Sequence, residues 1–402
     1  VRGGLTAVDR LPPQPWMSAP ATRAVLAVLQ AEGGPDAARF VGGCVRNALI
    51  DAPVDDVDLA TPLTPDRVIA AVQAAGLRAV PTGVEHGTVT VVSAHRPFEV
   101  TTLRRDVETD GRRAVVAFTD DWAEDAARRD FRLNAIYAEA DGRLHDPTGG
   151  GVDDALAGRI VFVGDAETRI REDWLRILRF FRFTAWYGRG EPHGPSLAAC
   201  ARLKEGLARL SGERLGKETL KLLAAPDPRP ALRLMHASGV LAQLLPRAGD
   251  LRRFEALTPM SPDPLLRLAA LLPDDPDEAS ATAARLRLSN AQRDRLRAAV
   301  APAGEVAPSM TATQARAAVY RLGAEPFTDR LLLASATGGG DPKASASLAA
   351  AWERPTLPVS GADLQGAGVS PGPRLGETLR QLEREWIDSD FSLSREALLA
   401  RL

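Results

Sequence analysis

The chain has 402 residues, 45% of them apolar and 25% charged, with a formal net charge of −2; at ordinary domain sizes this is two to four domains. Near-zero charge excludes a uniformly basic protein and confines any phosphate-binding surface to a local patch. Two cysteines, Cys44 and Cys200, and five scattered histidines exclude a disulfide framework and a zinc-ligand spacing, and they point to a reducing, cytoplasmic setting. Residues 1–18 carry no basic segment leading into an apolar run, so they read as an extended leader outside the fold and not as a signal peptide. No segment approaches the roughly 18 apolar residues of a membrane span.

In chain order, Arg39-Phe40-Val41 reads as a strand running through Gly42-Gly43 into a helix over 45–50. Thr64-Pro65 starts a helix, with Thr at the N-cap and Pro at the first position, and Val68, Ile69 and Val72 form its apolar stripe. Strands follow over 87–92 and 97–103, and another over 134–138, making the first third an α+β palm. Between Arg104 and Asp125 the apolar pattern fades into a charged, glycine-containing segment that reads as irregular. From Ala166 onward helix follows helix, broken by prolines at 226–230, 259–264, 273–276 and 355–358. A single helix over 169–185 places Ile170, Trp174, Ile177, Leu178 and Phe181 on one face. Glu172, Arg176 and Arg179 fall on the other face, with Asp173 beside them and within one turn of Arg176.

The chemistry centres on Asp56-Val57-Asp58. In a strand the two aspartates share a face while Val57 and Leu59 point to the core. Adjacent like charges repel, and a hard divalent cation bound with substrate phosphates relieves that repulsion. Read alone, D-x-D is a weak signal, better explained by a surface turn. Upstream, Gly42 and Gly43 let backbone N–H groups approach phosphate, and Arg46 offers a fork of donors. Glu99 alternates with Phe98 and Val100, which puts a third carboxylate on an open strand face. No P-loop or dinucleotide glycine pattern occurs.

These residues resemble the class II tRNA nucleotidyltransferases and bacterial poly(A) polymerases of the polymerase-β-like superfamily. Five motifs match in order over residues 39–223: Gly42-Gly43-x-Val45-Arg46 with Asp56-Val57-Asp58; Arg128-Arg129-Asp130-Phe131-x-x-Asn134-Ala135; Asp146-Pro147-x-Gly149-Gly150; Arg171-Glu172-Asp173-x-x-Arg176-x-x-Arg179; and Ser211-x-x-Arg214-x-x-x-Glu218-x-x-Lys221. The resemblance implies an α+β nucleotidyltransferase palm over 20–147, a helical neck over 148–225, and an all-α body and tail over 226–402 that binds RNA. It implies that Asp56 and Asp58 hold catalytic Mg2+ in a two-metal transfer, with Glu99 as a helper. Gly42, Gly43 and Arg46 would take the triphosphate, and Arg129, Asp130 and Asn134 the ribose and phosphate. Glu172, Asp173 and Arg176, with Arg179 beside them, would select CTP and then ATP without a nucleic-acid template. Arg214, Lys217 and Lys221 would touch tRNA, and residues 104–125 would form a flexible loop used in the final A addition.

Two positions depart from the family pattern. Asn47 stands where Asp is usual, and Arg132 where Thr is common; neither is given a catalytic role. Gly83-x-x-His86-Gly87-Thr88-Val89 resembles the tRNA-specific enzymes, whereas poly(A) polymerases carry an arginine-rich segment there. The expected activity is therefore CCA addition to tRNA from CTP and ATP, with poly(A) or A-only addition as the alternative. A non-catalytic RNA-binding protein is disfavoured by the paired carboxylates, which would repel phosphate. The histidines are too few for an appended metal-dependent phosphohydrolase. No membrane and no protein partner is implied.

Overall fold

A computed structural model describes residues 8–110, 113–302, 304 and 306–402. Two compact units result, Val1–Pro246 and Arg247–Leu402. In the first, a seven-stranded sheet runs in the order β3-β4-β5-β2-β1-β8-β9. Its strands are β1 (Arg39–Val41), β2 (Asp58–Thr61), β3 (Arg78–Gly83), β4 (Thr88–Ser93), β5 (Arg96–Thr102), β8 (Tyr137–Ala138) and β9 (Leu144–His145). A separate hairpin is made by β6 (Arg104–Asp110) and β7 (Arg113–Phe118). Among the described residues only β2 and β5 pair in parallel, in a register that sets Asp58 beside Glu99.

Alternation decides which face of the sheet is covered. Val89 and Val91 of β4, Phe98 and Val100 of β5, and Leu59 of β2 are all buried. Helices Pro20–Gly33 and Pro65–Ala74 pack on each other and on β4, contributing Val25, Leu26, Leu29, Val68 and Val72. Each such aliphatic side chain contributes about 1.5–3 kcal/mol by leaving water. Thr90, Glu99 and Asp58 are in register across β4, β5 and β2 on the other face. The covered face is thus apolar and the open one carries carboxylates.

Four expectations change. The charged segment after Leu103 is ordered β pairing from Arg104↔Phe118 to Asp110↔Arg113, followed by a helix, Trp122–Ala127; Gly111 and Arg112 lie outside the described residues. Backbone pairing needs no apolar repeat, so the fading pattern did not reveal it. The strand expected over 134–138 is a 3-10 turn at Arg132–Asn134 and then the two-residue β8. The leader is part of the fold from Arg10 onward. Leu11 donates to the Gly142 carbonyl at 2.8 Å, and Trp16 packs edge-on against Phe40 at 4.9 Å; residues 1–7 lie outside the described ones. Finally, the single helix over 169–185 is two, Ala166–Glu172 and Leu175–Tyr187, broken where Asp173 adopts φ −151°, ψ 104°.

The second unit is all helical among its described residues. Its helices stop at the expected prolines, with Pro264 and Pro276 opening Pro264–Ala269 and Pro276–Arg285 behind aspartate caps. One apolar cluster gathers Val319, Phe327 and Leu331, and another gathers Leu364, Leu382 and Trp386.

Candidate active site

The antiparallel register Phe40↔Leu59 brings the end of β1 beside the start of β2. Gly42 and Gly43 therefore adjoin Asp58. The alternation expected across 56–59 holds, with Val57 and Leu59 buried, although Asp56 lies just before β2 and not in it. Asp58 is pushed up to about 6 by burial, by Glu99 and by Asp56, against a smaller opposing pull from Arg129. Among the described residues none of these three carboxylates makes a side-chain hydrogen bond or ion pair. No set of three or more His, Cys, Asp or Glu among the described residues is gathered tightly enough to hold a metal. Two hard oxygen donors with unrelieved negative charge fit a magnesium ion whose other ligands are water and substrate phosphate. Cys44 packs beneath, its thiol 3.8 Å from the Asp58 carbonyl and pushed up to about 11 by burial, so it stays protonated.

The turn opposite requires glycine. Gly42 sits at φ 73°, ψ −123°, a region that L side chains rarely adopt. A β-carbon on Gly42 would stand 3.9 Å from Arg129 Nη1, and one on Gly43 3.8 Å from Arg46 Nη2. The two guanidinium groups therefore flank the turn. Arg46 is buried, and it donates to Asn134 Oδ1 at 2.5 Å, Asn47 Oδ1 at 2.8 Å and the Tyr187 hydroxyl at 2.8 Å. Its guanidinium carbon lies 3.9 Å from the centroid of the Tyr187 ring. Asn134 Nδ2 donates to Asp130 Oδ1 at 3.1 Å, and Arg179 Nε donates to Asp130 Oδ2 at 2.8 Å. Burial would raise Asp130, but Arg179, Asn134 and the Phe131 N–H hold it below the usual carboxylate range. Arg46, Asn134, Asp130 and Arg179 thus form one continuous chain of bonds, in which Asp130 chiefly orients its neighbours.

Sequence reading missed the anchor of Arg129. Asp125, 1% exposed, accepts from Arg128 at 2.6 Å, Arg129 at 2.9 Å and the Tyr137 hydroxyl at 2.6 Å. Burial would raise it, yet the two arginines and Tyr137 hold it down at about 2. Its signal was the i, i+3 and i, i+4 spacing to Arg128 and Arg129. Tyr187 carried no such signal. The third motif is a turn that starts a helix: Asp146 Oδ2 accepts the Gly151 N–H at 2.6 Å. Arg132 binds Asp154 at 2.6 Å, which ties the turn before β8 to the helix Gly151–Ala157.

At the neck the expected Glu172–Arg176 pair forms at 2.6 Å. Arg176 also donates to the carbonyls of Arg169 at 2.8 Å and Arg128 at 3.0 Å. The expected Asp173–Arg176 pairing does not form. The helix break turns Asp173 toward Arg214, 2.8 Å away, and Asp173 Oδ1 accepts from the Leu175 N–H at 3.1 Å. Arg214 is therefore held by Asp173 in this state. Lys217 and Lys221 are exposed on the helix Gly212–Leu223. Burial and the neighbouring Arg182 and Lys217 lower Lys221 below its ordinary value. Buried Glu218 faces inward and pairs with Arg182.

Residues 38–161 match the Poly A polymerase head domain, and residues 193–250 match the probable RNA and SrmB-binding site of polymerase A. Over 388 residues the chain is 33% identical to the mitochondrial CCA tRNA nucleotidyltransferase 1 of Mus musculus, covering 90% of this chain and 85% of that protein. The chain belongs to the CCA tRNA nucleotidyltransferase family. A bacterial member, the CCA-adding enzyme of Limosilactobacillus fermentum, is 31% identical over 380 residues, 90% of this chain and 91% of that one. The crystal structure of the Bacillus stearothermophilus CCA-adding enzyme in complex with CTP superposes with a TM-score of 0.76 at 27% identity, covering 95% and 96% of the two chains. The α+β head followed by helices is the architecture of this nucleotidyltransferase family, whose members usually work with a divalent metal. Among the described residues no helix is long and apolar enough to cross a membrane.

Proposed function

We propose that this protein adds CMP and AMP, taken from CTP and ATP, to the 3′ end of tRNA without a nucleic-acid template and releases pyrophosphate. The observation that carries the reading is the pairing of two unpartnered carboxylates, Asp56 and Asp58, with a glycine turn flanked by Arg46 and Arg129. One side attracts a cation and the other an anion, as a metal–triphosphate requires. Magnesium held by Asp56 and Asp58 would supply Lewis-acid activation of the RNA 3′-hydroxyl and charge neutralisation of the leaving pyrophosphate.

The chain's own residues then have separate tasks. Gly42 and Gly43 let backbone approach the phosphates, and Arg46 and Arg129 hold their oxygens. Asp130 and Asn134 fix the ribose side and keep Arg46 and Arg179 in place. Glu99 adds negative charge beside Asp58. Glu172, Asp173 and Arg176 offer acceptors and donors to a base edge, as a carboxylate suits an exocyclic amino group. Arg214, Lys217 and Lys221 face tRNA phosphates. A cytoplasmic setting fits the two buried, unpaired cysteines; a mitochondrial one, as in the mouse relative's name, fits them as well, and cell fractionation separates the two.

Purified protein, tRNA lacking its CCA end, CTP, ATP and magnesium should give a product three nucleotides longer, and a chelator should stop its formation. Long A tails from ATP alone would instead support the poly(A) reading. Binding of tRNA with no extension would support the non-catalytic one.

A further inference from the structure

Helix Leu175–Tyr187 carries a stripe that runs out of the site. Arg176, Arg179, Arg182 and Trp186 recur at helical intervals, which sets them along one side of it. Arg176 meets Glu172 and Arg179 meets Asp130 inside the site. Seven residues after Arg179, about 10 Å along the axis, the stripe ends at Trp186. The next residue, Tyr187, accepts from Arg46 at 2.8 Å, so the indole is anchored to the same frame as the arginine beside the glycine turn.

Trp186 is 43% exposed, whereas the other five tryptophans are buried or half-buried. Its Nε1 donates to the Lys221 carbonyl at 2.8 Å. That bond uses the only donor of the ring and fixes its orientation, so the surface left to solvent is carbon. Among the described residues no other ring stacks on it and no guanidinium covers it. A single exposed apolar side chain needs no explanation by itself; the cations around this one set it apart. Lys221 and Lys217, one turn apart on the helix Gly212–Leu223, are both exposed. Burial, Arg182, Lys217 and Arg179 together lower Lys221 against an opposing pull from Glu218, and Glu218 itself is buried and bonded to Arg182. Cationic groups that follow a backbone, with an aromatic face on which a base can stack, are what an unpaired RNA strand requires. A duplex cannot use such a ring, because its base faces already cover one another.

We propose that Trp186 is the stacking platform for a base in the unpaired 3′ end of the tRNA acceptor strand, with Lys217 and Lys221 taking the neighbouring phosphates and the strand running from Trp186 toward Arg179 and the site. This rests on the reading of the protein as a tRNA-extending transferase. The test compares Trp186→Leu and Trp186→Phe with the wild type. Equilibrium binding is measured for tRNA ending in CC and for the same tRNA cut back to the last base pair of its acceptor stem, over a series of salt concentrations. Tm, CTP affinity and sedimentation are measured alongside.

Loss of a stacking ring should weaken binding about tenfold. Trp186→Leu should show that loss for tRNA ending in CC and none for the trimmed tRNA, with Tm and CTP affinity unchanged. Its salt slope should equal that of the wild type, because stacking releases no counterions. Trp186→Phe keeps a ring face but not the N–H, and it should recover most of the loss; a merely structural bond to Lys221 predicts that Phe fails as Leu does. Wild-type affinity in Trp186→Leu, or equal weakening toward both tRNAs, overturns the proposal. So does a changed oligomeric state in that variant, which would make this face a contact between copies. If Trp186→Leu does not fold, the wild type decides: 5-iodocytidine in the CC end, irradiated in the complex, should crosslink to the peptide carrying Trp186, and crosslinks to other peptides alone overturn the proposal. Should the wild type bind tRNA ending in CC yet never extend it, the transferase reading fails, and the two affinities still decide the role of Trp186.

Discussion

Asp58 stands where fold and chemistry pull in opposite directions. Burial and the neighbouring Glu99 and Asp56 penalise its charge, and among the described residues only a smaller pull from Arg129 opposes that penalty. Such a group is retained for what it binds. Asp58→Ala should cut incorporation of both C and A by several orders of magnitude, because charge stabilisation by a metal is worth several kcal/mol. The variant should melt no lower than wild type without metal, since one like-charge contact is gone. Single-turnover assays and thermal melts check both points, and near-normal incorporation by folded Asp58→Ala would refute the site. The glycine turn and the aspartate pair were legible because each needs particular residue types in sequence order. Asp125 was missed although its spacing to Arg128 and Arg129 was readable, whereas Tyr187 was not legible because Arg46 comes to it only through the fold.

Asp125 also predicts a pH dependence. Its carboxyl, held at about 2 in the fold, ionises more readily there than in an unfolded chain, where the value is about 4. Its contribution is complete well above pH 4 and is lost as pH falls through about 2. Asp125→Asn should therefore melt well below wild type at neutral pH, by roughly 3–5 kcal/mol for a broken buried pair. The gap should narrow steadily between about pH 4 and pH 2. A gap that stays constant over that range would show that the charge of Asp125 contributes nothing.

Among the elements, the neck is where a regular sequence pattern concealed a functional irregularity. The apolar repeat through Ile170, Trp174 and Ile177 runs on as if one helix continued, but Asp173 leaves the helix and pairs with Arg214. Both partners are about one-third exposed, and such pairs contribute only about 0–1 kcal/mol to stability. Asp173→Ala should accordingly leave Tm nearly unchanged while altering nucleotide choice. A bidentate base contact carries about 1–3 kcal/mol of discrimination, so UTP or GTP should enter at a measurable fraction of the CTP rate. Equal slowing with CTP and ATP, with UTP and GTP still rejected, would give Asp173 a structural role only. Arg176 behaves differently, because it holds the carbonyls of Arg128 and Arg169; Arg176→Ala should lose stability as well as selectivity. The β6–β7 hairpin was hidden for the converse reason. Its strands pair through backbone groups in a charged segment that offers no apolar alternation to read.

Across the whole molecule, the order of an α+β head followed by helices was legible from periodicity and proline breaks. The pairing of strands was not, since the parallel contact of β2 with β5 joins residues some forty positions apart and no local pattern specifies it. Lys217 and Lys221 lie exposed on one helix of the first unit, and replacing both with alanine should weaken tRNA binding. The slope of log affinity against log salt should fall by about 1.4–1.8, as two phosphate contacts are lost. Binding of CTP should not change, and an unaltered salt slope would return both lysines to ordinary surface charge. In this enzyme the carboxylate pair and a protein-encoded choice of nucleotide act in one reaction. The decisive measurement is single-turnover incorporation of each of the four NTPs onto tRNA ending before C, after C and after CC. The expected outcome is C, then C, then A, with UTP and GTP rejected at every step and extension stopping after A. Repeated A addition at all three ends, or no dependence of the chosen nucleotide on the end presented, would contradict it.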